Sequence, residues 1–134
     1  MFENLHDTNP NFNIDKLNLW FNKLCNTNKT DDKTVIYNNF LFSIGNNHAG
    51  TYYPVIISVL PVLFQKIETS SNSHFLETAF EILIDIFFFE LELDTSEKER
   101  FLLENKVRDM IYNFSITNED FKNYLEKADI NFNV

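Results

Sequence analysis

The sequence predicts an all-α fold in a single domain. Of its 134 residues, 44% are hydrophobic, which is enough for one packed core. Only two glycines and three prolines are present, whereas hairpin-rich β folds need such residues at their turns. Along most of the chain the apolar residues recur at helical spacing. We therefore expect one helical domain over 1–134, with a loose N-terminal arm at 1–12 and a loose tail at 129–134.

Capping residues mark the first two helices. Asn13 is a residue type that caps helices, and the apolar face that follows it continues to a polar turn after Cys25. The second helix is expected to begin at Asp31 and Asp32, because acids are favoured at the positive end of the helix dipole. It is expected to stop at 45–47, where Gly and Asn tolerate the left-handed conformation.

The third helix is predicted from about Thr51 to a polar linker at 70–73. Its β-branched residues could also indicate a strand, but its length and its two prolines favour a helix. Pro54 would lie in the first turn, and the interior Pro61 would kink the helix or remove a hydrogen bond. Because apolar residues occur on all its sides, we expect this helix to be central and buried.

Three more helices are predicted in the second half of the chain. The fourth runs from about His74 to Leu91 and is broken at 94–95. A capping box at 96–99 begins the fifth, and the polar residues 117–120 cap a short sixth helix.

The order of these helices suggests a repeat. Helices two to five form two helix–loop–helix units that begin about forty residues apart, a period typical of HEAT and armadillo repeats. Short connections imply antiparallel neighbours. The expected architecture is therefore six antiparallel helices in a HEAT-like helical-hairpin stack, an α-α superhelix.

A turn and the helix after it resemble a group of bacterial HEAT-like proteins. That group has a His-x-Gly-Thr-x-Tyr turn followed by a helix with an apolar-Pro-x-Leu step. The matching residues here are His48, Gly50, Thr51, Tyr53, Pro61 and Leu63. The resemblance implies a structural turn. Some members of the group look like immunity proteins, which neutralise a toxin made by the same or a neighbouring bacterium, and others look like scaffolds.

The charge of the chain restricts its partners. With 20 acidic and 11 basic residues, the net charge is -9. Such a field repels the phosphates of nucleic acids and the surface of anionic membranes. We therefore expect no nucleic-acid or membrane partner, and a basic protein is the natural complement. The alternative is that the charge serves only solubility.

The single cysteine and the N-terminus both indicate a cytoplasmic protein. Cys25 cannot form a disulfide within the chain, so a reducing compartment fits best. The first residues lack the basic start and apolar run of a signal peptide. The longest apolar stretch, 52–64, is too short to span a bilayer.

The most specific candidate site lies on the fourth helix. Glu77, Glu81 and Asp85 recur every four residues, and no Lys or Arg lies three or four positions from any of them. We call these three residues the acidic stripe. Like charges at this spacing destabilise a helix by about 0.2–0.5 kcal/mol per pair. Glu90, Glu92 and Asp94 continue the stripe beyond the helix. The stripe is either a surface for a basic partner, a solvated face, or a set of acids paired with a neighbouring helix.

Three consecutive phenylalanines, 87–89, follow the acidic stripe. At least one ring must leave the inward face of the helix, and exposed aromatic side chains often anchor interfaces. The alternative is that these rings pack on helix one or six. The predicted partner-binding residues are Glu77, Glu81, Asp85, Phe88, Phe89 and Glu92.

The chain carries no signature of catalysis. It has no Gly-rich phosphate loop, no Gly-x-Ser-x-Gly, no His-Glu-x-x-His and no Cys-x-x-Cys. His48 has no second ligand at metal-binding spacing, so it is expected to fix its turn. We therefore expect no enzyme, no metal and no cofactor. The leading hypothesis is an immunity-type inhibitor of a basic toxin domain, and the alternative is a HEAT-like adaptor for cellular proteins.

Overall fold

The computed structural model describes residues 1–46, 48–93 and 96–132. These residues form six helices: α1 (Ile14–Cys25), α2 (Lys33–Ser43), α3 (Ile56–Thr69), α4 (Ser73–Phe88), α5 (Glu97–Thr117) and α6 (Glu119–Lys127). They also form three two-residue strands: β1 (Gly45–Asn46), β2 (Thr51–Tyr52) and β3 (Glu90–Leu91). The prediction of a mostly helical chain is confirmed, and the small sheet is an addition to it. None of the helices in these ranges combines the length and apolarity needed to cross a bilayer.

Side-chain caps begin most of the helices. Asn13 accepts a hydrogen bond from the N–H of Lys16, and Asp32 accepts from two N–H groups of α2. Ser96 accepts from the N–H of Glu99, and Asn118 does the same for α6. The predicted starts of these four helices are confirmed. They could be predicted from the sequence because a capping side chain bonds to N–H groups of the first turn, only two or three residues away.

The sheet shortens two predicted helices. α3 begins at Ile56, because Thr51 and Tyr52 pair in β2 between β1 (antiparallel) and β3 (parallel). α4 ends at Phe88 and not at Leu91, because residues 90–91 form β3. The predicted break at 94–95 and the predicted stop residue Asn47 lie outside the described residues.

α4, and not α3, occupies the centre of the fold. It packs against α1, α2, α3 and α5, and its Phe75, Ala79 and Leu83 are fully buried. α3 packs mainly on α4 and α5 and leaves Ser58 and Pro61 exposed. The prediction of a central third helix is therefore wrong, since polar and proline positions give α3 a solvent-facing side.

The N-terminal arm packs against the helices. Phe2 is buried, and its ring meets Phe21 edge-on at 5.1 Å. The backbone N–H and C=O of Phe2 both bond to the side-chain amide of Asn18, at 2.8 and 2.9 Å. Asp7 accepts a hydrogen bond of 2.7 Å from the N–H of Val55. The expectation of a loose arm is therefore corrected: one apolar ring and a few polar contacts hold a segment whose composition looks unstructured.

The described part of the tail is also packed. The ring of Phe132 is buried and stacks on Phe87 at 4.1 Å. The N–H of Ile130 donates to the carbonyl of Leu125 at 2.9 Å. Ile130 and Phe132 thus lie against the core, whereas 133–134 lie outside the described residues.

Candidate protein-binding groove

A shallow groove lies between α2, α4 and α6, beside the C-terminal end of α4. Its volume is about 340 Å³. We call it the acidic–aromatic groove, and it is lined by Tyr37, Glu81, Ile84, Asp85, Phe88, Phe89, Tyr124 and Ile130. Four of the six predicted partner-binding residues therefore surround one concave surface: Glu81, Asp85, Phe88 and Phe89. Glu77 and Glu92 lie outside this lining.

Asp85 is held by two tyrosines. It is half-buried, and its Oδ2 accepts a hydrogen bond of 2.5 Å from the hydroxyl of Tyr37. Its Oδ1 accepts from the hydroxyl of Tyr52, whose side chain is fully buried. Burial first, and then the hydrogen bond to Asp85, raise the pKa of both tyrosines well above the ordinary value. Both hydroxyls therefore remain neutral donors, and the carboxylate is fixed in orientation.

Glu81 is held more loosely by one tyrosine. Its Oε1 accepts a hydrogen bond of 3.1 Å from the hydroxyl of Tyr124 on α6. Burial and the charge of Glu81 raise the pKa of Tyr124 to about 12. Because the Glu81 side chain is exposed, its carboxylate remains accessible from the groove.

Glu77, at the far end of the acidic stripe, pairs with a base on another helix. Its Oε2 lies 3.6 Å from Nζ of Lys33 at the start of α2. The acidic stripe is thus without cations along its own helix, but each of its acids has a partner on a neighbouring element. For Glu77, the structure shows the third alternative stated above, pairing with a base on a neighbouring helix.

Glu92 serves the structure of the sheet and the arm. Its Oε1 accepts from the side-chain amide of Asn9, and its Oε2 accepts from the hydroxyl of Thr51, both at 3.0 Å. Its backbone N–H donates to the carbonyl of Tyr52. This half-buried carboxylate fastens the arm to β2, which is a structural alternative to the predicted binding role. Asp94, predicted to continue the acidic stripe, lies outside the described residues.

Two rings of the phenylalanine run leave the core. Phe87 is buried, whereas Phe88 is 51% exposed and Phe89 is 39% exposed. This confirms that at least one ring leaves the inward face of the helix. Phe88 borders Phe132 of the tail at 6.1 Å, and Phe89 meets Tyr52 edge-on at 6.3 Å. Both rings are therefore supported from one side and open to the groove on the other.

Comparison with protein-family models, with curated proteins and with solved structures gives no significant match.

The turn at residues 48–51, before α3, contacts a residue that lines the groove. Gly50 has φ +68°, and a Cβ there would lie 2.5 Å from the ring of Phe89. A side chain at this position would therefore displace Phe89 as well as strain the backbone. Thr51 and Tyr52 follow this turn in β2, so the turn also positions the Tyr52 hydroxyl that donates to Asp85.

The other residues of the turn motif also make structural contacts. The N–H of Tyr53 donates to the carbonyl of Ile44 at 2.8 Å, and its ring meets Phe12 edge-on. His48 is exposed, and its ring packs edge-on against Phe42 at 4.8 Å. Pro61 lies on the exposed side of α3, which continues through it.

Sequence reasoning missed the three tyrosines that hold the acids. Tyr37, Tyr52 and Tyr124 come from α2, β2 and α6, between 33 and 48 positions away from their carboxylate partners. One signal was available: a tyrosine on an apolar face needs a partner for its hydroxyl. The acidic stripe has no cations at neighbouring positions of its own helix, so its carboxylates could accept hydrogen bonds from such hydroxyls.

Two other candidates for chemistry have weaker support. No group of three or more His, Cys, Asp or Glu side chains within the described ranges could hold a metal ion. Cys25 is buried, and that burial raises the pKa of its thiol to about 11, although the charge of Lys66 partly opposes the shift. A thiol in this state is a poor nucleophile at neutral pH.

The groove therefore combines two properties. Its described lining contains two acids, four aromatic rings and no basic side chain. An arrangement of this kind attracts a cation and offers apolar faces against which it can pack.

Proposed function

We propose that this protein is a protein-binding module whose acidic–aromatic groove receives a basic segment of a partner. The observation that carries the proposal is the meeting of half-exposed Phe88 and Phe89 with Glu81 and Asp85 around one concavity. Large aromatic side chains dominate the energy of many interfaces, and complementary charge accelerates association.

We further propose that the partner is a basic toxin domain and that the protein is its immunity-type inhibitor, acting in the cytoplasm. The net charge of -9 supports a basic partner. The resemblance of the turn at 48–53 to HEAT-like proteins supports the immunity role. In this proposal the helices form a HEAT-like stack. The packing of α4 on α5 agrees with the second predicted unit, whereas α2 of the first predicted unit packs mainly on α1.

The alternative is an adaptor that joins cellular proteins through the same groove. It rests on the same geometry, because exposed aromatic rings beside acids fit any basic segment. The two functions differ in the number of partners: an inhibitor has one tight partner, whereas an adaptor has several weaker ones.

Affinity capture with matched variants tests the proposal. The tagged protein is incubated with a lysate of its own organism, beside the charge reversals Glu81→Lys and Glu68→Lys. Glu68 is an exposed acid on α3, outside the groove, so both variants change the net charge equally. We expect the wild type and Glu68→Lys each to capture one stoichiometric basic protein. In binding kinetics with that purified protein, we expect Glu81→Lys to associate about tenfold more slowly than the wild type.

The outcomes separate the candidate functions. A single captured protein whose toxicity is relieved by co-expression supports the inhibitor. Several substoichiometric partners lost from Glu81→Lys support the adaptor. A captured partner that associates equally fast with both variants shows that binding occurs elsewhere and removes the groove from the proposal.

A further inference from the structure

We propose that the anchor accepted by the groove is an arginine side chain, whose guanidinium docks on the Asp85 carboxylate and packs against Phe88 and Phe89. This inference rests on the proposed function and deepens it, since it names the group that the groove recognises. It depends on the geometry of the carboxylate, on the exposed rings and on the size of the groove.

The Asp85 carboxylate can still accept two hydrogen bonds from a guanidinium. Each of its oxygens accepts one tyrosine hydroxyl, from Tyr37 and Tyr52. A carboxylate has about four acceptor positions, two on each oxygen, so one position remains on each. A guanidinium can donate two N–H groups to the two oxygens of one carboxylate, so it can use both remaining positions. A lysine ammonium has no such fork and would use the site only as a point charge.

Glu81 offers a second acceptor one helical turn away. Its Oε1 accepts a hydrogen bond from Tyr124, and the side chain of Glu81 is exposed. Residues four apart on a helix have Cβ atoms about 5–6 Å apart. A guanidinium carries five N–H donors, so it can engage Asp85 and still donate toward Glu81.

The exposed rings favour a guanidinium over an ammonium. Phe88 and Phe89 line the groove with 51% and 39% of their surfaces exposed. A guanidinium is planar and weakly hydrated, so it stacks on aromatic faces at small desolvation cost, whereas an ammonium is strongly hydrated.

The size of the groove fits a single long side chain. At about 340 Å³ it lies at the lower end of the range for ligand pockets, about 300–1,000 Å³. A concavity of this size accommodates one side chain that projects from a partner surface.

Three short peptides test this inference on the full-length protein. Acetylated and amidated Gly-Ser-Arg-Ser-Gly is compared with the lysine peptide and with the citrulline peptide, in which the side chain keeps its shape and loses its charge. Binding is followed at low ionic strength by the amide NMR shifts of the isotope-labelled protein. We expect saturable shifts at Asp85, Phe88 and Tyr124, with the arginine peptide binding roughly fivefold tighter than the lysine peptide and no measurable citrulline binding.

Two pairs of variants locate the effect. Asp85→Asn should weaken arginine binding about tenfold, whereas Glu68→Gln should leave it unchanged. Because Asp85→Asn also disturbs the tyrosine contacts, Phe88→Leu provides a second test that leaves the carboxylate intact. It should reduce the preference for arginine over lysine to about twofold or less, and Phe101→Leu, an exposed phenylalanine on α5, should not.

Each contrary result has a separate meaning. Equal affinity for arginine and lysine peptides at the groove overturns the arginine anchor but leaves a groove for basic segments. Absence of shifts at the groove, or shifts only elsewhere, also overturns the anchor. In that case, a captured partner whose binding is still weakened by Glu81→Lys would support the proposed function even though the arginine anchor is wrong.

Discussion

The two ends of the acidic stripe on α4 are held by different contacts, although their spacing in the sequence is regular. Asp85 is half-buried, and each of its oxygens accepts a tyrosine hydroxyl. Glu77 is exposed, and its Oε2 lies 3.6 Å from Nζ of the half-buried Lys33. The difference comes from the elements that face each end: α2 and β2 bring hydroxyl donors to Asp85, whereas the start of α2 brings an ammonium group to Glu77. One end of the acidic stripe is therefore structural and the other is a surface charge.

The largest expected effect is the loss of stability in Asp85→Ala. This change leaves the fully buried hydroxyl of Tyr52 and the hydroxyl of Tyr37 without their acceptor. An unsatisfied buried polar group costs about 1–3 kcal/mol, so we expect a decrease of about 3 kcal/mol in the free energy of unfolding. Urea unfolding followed by circular dichroism measures it, with Glu77→Ala as the matched truncation. A variant as stable as the wild type would show that Asp85 has no structural role.

The next largest effect is expected for Tyr52→Phe. The phenylalanine keeps the buried ring and removes only the donor, and a hydrogen bond to a charged group contributes about 1.5–3 kcal/mol. We expect a loss near 2 kcal/mol in the wild-type background and much less in the Asp85→Ala background. The double-mutant cycle gives the coupling energy directly. If the two losses simply add, the Tyr52 hydroxyl and Asp85 act independently.

A third effect should appear at alkaline pH. The folded protein holds its tyrosine protons more tightly than the unfolded chain, in which tyrosines ionise near pH 10. The stabilisation is complete below about pH 10 and is lost as the pH rises through the folded pKa values, about 12 for Tyr124 and higher for Tyr37 and Tyr52. The free energy of unfolding should fall by at most about 1.4 kcal/mol per pH unit for each such tyrosine.

Absorbance of the phenolate checks this alkaline effect. In the native protein, Tyr37 and Tyr52 should not ionise between pH 10 and 11, whereas in 8 M urea they should ionise normally. The stability of Tyr52→Phe should decline less steeply over the same range. Ionisation of all five tyrosines of the native protein near pH 10 would contradict the buried network.

The sequence predicted those parts of the fold that depend on local contacts. Asn13, Asp32, Ser96 and Asn118 cap helices through hydrogen bonds to N–H groups two or three residues away, so their pattern is readable along the chain. The start of α3 and the end of α4 were misplaced because β2 and β3 are two-residue strands that pair across 39 positions. Strands this short leave no periodicity of their own.

The candidate site follows the same rule. Glu81, Asp85, Phe88 and Phe89 lie on one helix end, so helical spacing alone places them together. Their tyrosine partners come from distant elements, and the choice between a structural and a free carboxylate depends on those partners. The packing of the two chain ends was missed for a related reason: Phe2 and Phe132 each find a ring of the core, which local composition does not reveal.

The smallest expected effect is that of Glu77→Gln, and it tests the other end of the comparison. An exposed ion pair contributes about 0–1 kcal/mol, and removal of the charge also relieves repulsion from Glu81, by about 0.2–0.5 kcal/mol. These contributions nearly cancel, so we expect a change in the free energy of unfolding within about 0.5 kcal/mol. Because Glu77 lies outside the groove, partner capture should also be unchanged, whereas Glu81→Gln should weaken it. A loss of stability as large as that of Asp85→Ala would mean that the Lys33 pair is structural and that both ends of the acidic stripe belong to the core.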